Sequence, residues 1–513
     1  MSKPSTVSHG EAVTATLRWN FAWTAGLSSV GFLASFASLV VISYHFGASA
    51  DLDAYWVAFA LMNLLAFPLT PLREALVPEF HRCLRQGPEA ASAYFSRTMT
   101  LIFLVAGIGW LVGWLLADPL TALAVSGKQP LVRTLAVNQL YWLAPAVLLL
   151  AVSETLNAIL AAYHRVILQT FARLLGGASS LVVLVTFAGI LHSYVLPLAF
   201  IAAQVTITLV QVTALRRHGL SFRFAWPGAL GARFLAVSGA LFVSYAASHA
   251  HAVFEKHTLT AFAAGMVSSF QYAVSLTNVL ITLVGVTLSN VLWPRFMEHA
   301  AVEDRGRLYN EVSVVSRFVF LAIGWLCALT WLNATALVEL IYARGAFDAT
   351  AVFRTANALQ MAVFAAVPIS VSMIIGRALI SLGAARSVVA TGLTTAIVGV
   401  TTLALAHILG SSALALSHWL VANLAGLAIQ AVLLARACGG GEGRLGGAAW
   451  WLARWGAVLV LAGGVVQLIP VTQPGIVAMG LDILTRTMVF SILFVALVWV
   501  VGLTRGLPSA FRK

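Results

Sequence analysis

A succession of long, nearly uncharged apolar runs governs what this chain can fold into. About 20 apolar residues cross a bilayer as a helix, because hydrocarbon leaves each backbone polar group only its own segment to bond with. Runs of that kind fall at about 21–46, 55–78, 96–117, 136–161, 170–190, 194–215, 232–252, 261–292, 314–332, 355–382, 387–408, 412–435, 449–469 and 481–504, about fourteen in all. Barrel strands would be shorter and would alternate apolar with polar, and none of these runs does. Composition agrees: 60% of the 513 residues are hydrophobic and 9% charged, with a mean hydropathy of +0.94. That leaves too little polar surface to cover a water-soluble globule. A cytosolic enzyme, a secreted disulfide scaffold and a disordered chain are all excluded. The expectation is an all-α, polytopic membrane protein.

The formal net charge of +13 suggests nucleic acid until the basic residues are placed. With the N-terminus in the cytoplasm, 22 of the 30 Lys and Arg residues fall at the termini or in turns on the inner side, and six on the outer side. This is the positive-inside pattern, and it orients the chain with both termini cytoplasmic in a bacterial inner membrane, with no nucleic-acid partner. A missed helix would scramble the alternation. The polar, mixed first twenty residues are not read as a cleaved leader, and 21–46 is read as the first permanent span.

A weak repeat subdivides the chain. The second run ends Leu76-Val77-Pro78-Glu79-Phe80, and the eighth ends Leu292-Trp293-Pro294-Arg295-Phe296, its proline 216 residues further on. Six helices separate the copies, which implies a parallel repeat about an axis along the membrane normal. The expected organisation is a cytoplasmic N-terminus (1–20) and an N-terminal lobe of helices one to six (21–218). A C-terminal lobe of helices seven to twelve (219–437) follows, then two further helices and a cytoplasmic tail (438–513).

No nucleotide-binding loop, metalloprotease motif or nucleophile elbow is present, so an enzyme is not expected. Cys83, Cys327 and Cys438 lack metal-ligand spacing, and no cofactor or metal is expected. Ionisable residues inside apolar runs each cost about 2.5–3.5 kcal/mol at a helix centre on insertion scales, which makes them the places to look. They are Arg73 and Glu74, Glu154 and Arg377. Arg73 lies close enough to the inner interface to snorkel. Glu154 needs a partner, a proton or a wet cavity. Arg377 could meet an anionic head group or pair with Glu154. Softer polar positions, among them Asn63, Thr70, Gln204, Gln211, Gln271, Asn278 and Asn290, could glue helices together or line a cavity for sugar hydroxyls. His249, His251 and His257 are read as solvated near the outer surface.

Several motifs carry a resemblance. They are Tyr44-His45-Phe46-Gly47 through Asp51-Leu52-Asp53-Ala54-Tyr55-Trp56, Asn63-Leu64-Leu65 with Glu74-Ala75-Leu76-Val77-Pro78, Leu156-Asn157-Ala158-Ile159-Leu160, Gln271-Tyr272-Ala273 with Leu292-Trp293-Pro294, and Arg344-Gly345-Ala346-Phe347-Asp348. In order and spacing they resemble the MurJ/MviN family of the multidrug/oligosaccharidyl-lipid/polysaccharide exporter superfamily. The resemblance implies two lobes, fourteen helices and alternating access. It also implies flipping of an undecaprenyl-pyrophosphate-linked saccharide from the inner to the outer leaflet.

The chain departs from that family where its cavity arginines stand. The family's first-helix Gly-Phe-x-Arg-Asp reads Ser35-Phe36-Ala37-Ser38-Leu39, and other arginine positions fall on Phe32, Ala66 and Ser275. A nearby acid falls on Asn278, while the acid ending the first loop is kept as Asp53. An exopolysaccharide repeat unit is therefore as good a cargo as peptidoglycan lipid II. The expected head-group cavity residues are Asn63, Arg73, Ser275, Asn278 and Arg377, with Glu154 and Asp53 for coupling or protonation. Expected partners are a polyprenyl-linked saccharide lipid, membrane lipids and glycan-synthesis enzymes. The rivals are a drug/cation antiporter of the same superfamily and a non-transporting scaffold of a glycan-synthesis complex.

Overall fold

The computed structural model describes residues 30–503 apart from 32, 164, 217–219, 221, 229, 440–441 and 468–475. The described residues are helical or connecting, with no strand among them. Two compact units divide the chain, residues 1–249 and 250–513.

The first unit contains α1 (Leu33–Phe46), α2 (Ala50–Ala66), α3 (Leu69–Gln86), α4 (Pro88–Leu115), the short α5 (Ala117–Ala124), α6 (Pro130–Leu143), α7 (Ala146–Ala162), α8 (Val166–Leu191) and α9 (Val195–Arg216). The boundary between units falls within α10 (Leu230–Thr260). The second unit continues with α11 (Met266–Leu280), a π-helical segment Ile281–Val286, α12 (Thr287–Ala301), α13 (Arg305–Leu332), the short α14 (Ala334–Tyr342), α15 (Ala349–Ala362) and α16 (Ala366–Ser381). It ends with α17 (Ala385–Leu409), α18 (Ser412–Ala437), α19 (Glu442–Gln467) and α20 (Ile476–Val500). The order repeats: α5 follows α4 as α14 follows α13, and a divided helix then a hairpin come next in each case.

Every apolar run coincides with a helix or a helix pair, apart from residues 21–29, which lie outside the described residues. Among the described residues eight helices are long and apolar enough to cross a membrane, nine if the bent pair α6–α7 is one span. One of the eight, Ile167–Arg216, is 50 residues long. As a single helix it would reach about 75 Å, more than twice a bilayer core. It turns at His192–Tyr194, and α8 packs back along α9, so it makes two crossings.

Local chemistry sets the ends and the breaks. Ser49, Asp304, Asp348 and Ser411 each accept an amide of the following turn and cap α2, α13, α15 and α18. The second apolar run is two helices, because Pro68 at the junction has no amide for the ladder. Pro145 likewise divides α6 from α7 with a 48° bend. In the second unit, Gly285 lets the π segment lie directly on α16: a Cβ there would stand 2.5 Å from the Ser370 hydroxyl.

Candidate functional site

Within the first unit a cavity of about 180 Å³ is lined by Asn63, Ala66, Phe67, Leu69, Thr70, Leu150, Glu154 and His249. The break between α2 and α3 opens it: Ala66, Phe67 and Leu69 flank the junction, so the wall is made where the backbone steps aside. Asn63, one turn before the break, donates its amide to the Phe59 carbonyl at 2.8 Å. Across the cavity, α7 turns Glu154 inward, while its neighbour Ser153 donates to Gln204 of α9 at 2.9 Å. Gln204 is thus helix glue, and Glu154 lines the space. At about 30 Å³ per water, 180 Å³ holds about six waters. That suits a hydrated cation or a water-borne proton, and is too small for a saccharide diphosphate, since ligand pockets run to about 300–1,000 Å³.

The other expected residues are dispersed. Asp53 is fully buried near the start of α2, ten residues and about 15 Å along the axis from Asn63. Arg73 belongs to α3, but its side chain lies outside the described residues.

In the second unit Gln271, Ser275, Asn278 and Thr282 recur at helical spacing along one side of α11 and the π segment. Ser275 donates to the Gln271 carbonyl at 2.8 Å and is half-buried, while Asn278 is exposed. Arg377 lies elsewhere in that unit. Its guanidinium sits 3.5 Å above the Trp293 ring of α12 and donates to Asn290 at 3.4 Å. The face of an indole attracts a cation, so Trp293 and Asn290 together position the guanidinium.

Sequence reasoning missed a third site. Lys256, counted among the outer-side basic residues, and His251 were expected near the outer surface, but α10 stays helical to Thr260 and the chain reverses only at Gly265, with φ 83°. Lys256 is therefore buried, 6% exposed, with its ammonium 2.5 Å from the Glu255 carboxylate. His418 of α18, fully buried, bonds the other carboxylate oxygen at 3.1 Å, and the His251 ring packs edge-on against it. The Glu255 carboxylate is thus met on one oxygen by the Lys256 ammonium and on the other by the His418 ring. Glu255-Lys256 with His251 one turn earlier was visible as a pattern; His418, 163 residues away, was not.

Two compact units built of long apolar helices, with charged and polar groups among them, define a class: an all-α polytopic membrane protein. The chain matches the lipid II flippase MurJ family over residues 42–486 and belongs to it. Its fold is similar to that of a solved lipid II flippase MurJ in an inward closed conformation, with a TM-score of 0.73 at 13% identity, covering 92% of this chain and 97% of that one. It is also similar to an inward-facing multidrug resistance MATE family transporter of the MOP superfamily, with a TM-score of 0.67 at 14% identity over 81% and 98% of the two chains. A third likeness is a MOP superfamily transporter from Pyrococcus furiosus described by a binding pocket of reverse polarity, with a TM-score of 0.58 at 14% identity over 81% and 96%.

Proposed function

We propose that the protein is an inner-membrane flippase that moves an undecaprenyl-pyrophosphate-linked saccharide from the cytoplasmic to the periplasmic leaflet by alternating access. Both termini face the cytoplasm, as the distribution of basic residues indicates. Membership of the flippase family supports a lipid-linked cargo. The observation that carries the reading is Arg377, its guanidinium carbon 3.5 Å over the Trp293 ring and its Nη2 bonded to Asn290. A planar guanidinium is the natural partner of a phosphate, and an indole edge and an amide are natural partners of a sugar. Ser275 and Asn278 offer further sugar contacts, and Asn63 with Glu154 forms the coupling site. Arg73 remains a candidate cation. The neutral groups at Ala66 and Ser275 favour a surface exopolysaccharide repeat unit over lipid II.

Depletion separates the two cargoes. Loss of capsule or slime from intact cells assigns the exopolysaccharide unit, and lysis with accumulation of lipid II assigns peptidoglycan. Normal levels of both would overturn the flippase reading. A second reading draws on the Glu154 cavity, whose size suits an exchanged proton. A drug/cation antiporter would accumulate a cationic dye in vesicles under an imposed pH gradient, and Glu154→Gln would abolish the uptake.

A further inference from the structure

Past α9 the described chain runs extended over residues 222–227 and lies across the first turns of α4. The Arg223 amide donates to the Ser96 hydroxyl at 3.1 Å, and the Ala225 amide to the Thr100 hydroxyl at 3.3 Å. Ser96 and Thr100 are one turn apart and buried, so they grip alternate amides of the strap. Phe222 packs against Phe95 and Phe103 of the same helix. Between strap and helix is a second cavity, of about 550 Å³, three times the volume of the one at Glu154.

Its lining is cationic. Arg97 comes from α4 and Arg223 from the strap, with Ser92 and Ser96 between them and Glu89 at the helix start. Among the described residues neither guanidinium has a carboxylate within ion-pair distance, and both residues are exposed. Two arginines against one glutamate leave one net positive charge, which matches one phosphodiester. The strap also carries two exposed aromatic rings: Phe224 is 72% exposed and Trp226 is 75% exposed. Exposed aromatic rings beside arginines, where α4 enters its apolar stretch, are the pattern of the membrane–water interface, the depth at which lipid phosphates lie. A pocket built for a soluble anion would have no use for two rings turned outward.

We propose that this cavity binds the phosphate head group of an anionic membrane lipid, with Arg97 and Arg223 holding the phosphate and Phe224 and Trp226 lying against its acyl chains. The bound lipid would pin the strap to the inner leaflet. The inference does not depend on which cargo is carried.

The test is native mass spectrometry of the full chain released from detergent with added phosphatidylglycerol or phosphatidylcholine. The wild type should retain one phosphatidylglycerol more readily than phosphatidylcholine. The double variant Arg97→Gln/Arg223→Gln should reduce that retention by about 25-fold, at roughly a factor of five per surface arginine. Glu89→Gln, which removes the opposing charge, should raise it, and so controls for a folding defect in the double variant. Equal retention of the two lipids, or retention unchanged in the double variant, would overturn the proposal. So would complete displacement by millimolar inorganic phosphate, which would mark a site for a free anion.

Discussion

Glu255 and Lys256 are neighbours in sequence and opposite in charge, and α10 carries both into the interior with His418 against them. Removing one member strands the others. Glu255→Gln should destabilise the protein by about 3 kcal/mol, the cost of leaving a buried ammonium without its anion, read as a fall in Tm in detergent. Arg377 gives a second residue-scale test. Arg377→Ala should cut transport by about tenfold, while Arg377→Lys keeps the charge but loses the planar guanidinium and recovers only part of it. Glu154 and Arg377 were legible as functional candidates because charge in an apolar run is costly and so stands out. His418 was not, since a lone histidine in an apolar helix has the same sequence appearance whether it meets a lipid or a buried carboxylate.

At the scale of elements, the helices were legible from hydrophobic runs, because length and apolarity answer to the bilayer. The breaks were harder to see. Pro68 and Pro145 are plain in the sequence, yet a proline in a membrane helix can kink it or end it, and packing decides which. The extension of α10 to Thr260 was also hidden, because His249–His257 is polar enough to pass for a turn. Packing of α13 on α19 supplies a test. Gly324 faces the Trp455 indole so closely that a Cβ would overlap it, and Phe320 holds that ring edge-on at 5.5 Å. Gly324→Leu should therefore overpack the contact and cost about 1–3 kcal/mol, measured as a lower Tm, while Gly456→Ala on α19, where a Cβ meets nothing within 4 Å, should be near neutral.

For the whole molecule the dominant field is the membrane potential. A pyrophosphate-linked head group carries about two negative charges, and moving it outward across an inside-negative membrane gains about 2.3 kcal/mol per charge per 100 mV. That is about 4–5 kcal/mol, enough to drive export without nucleotide. Collapsing the potential in vesicles while keeping ion gradients should stop lipid translocation; unchanged flux would shift the driving force to an ion exchanged at Glu154.

The π segment sets the phase of everything beyond it. An α-helix advances 100° per residue, and a π turn accommodates about one extra residue, so Ile281–Val286 rotates α12 by about one residue step relative to α11. The Gln271–Ser275–Asn278 stripe and the Asn290–Trp293 pair are thus two keys cut on one shaft, with the bulge fixing the angle between them. Deleting a single residue there, for example Val284, would restore the α-helical phase and swing Trp293 from beneath Arg377 without altering either side chain. The relative phase of two polar patches on one helix can thus be reset by the number of residues between them as well as by their identity.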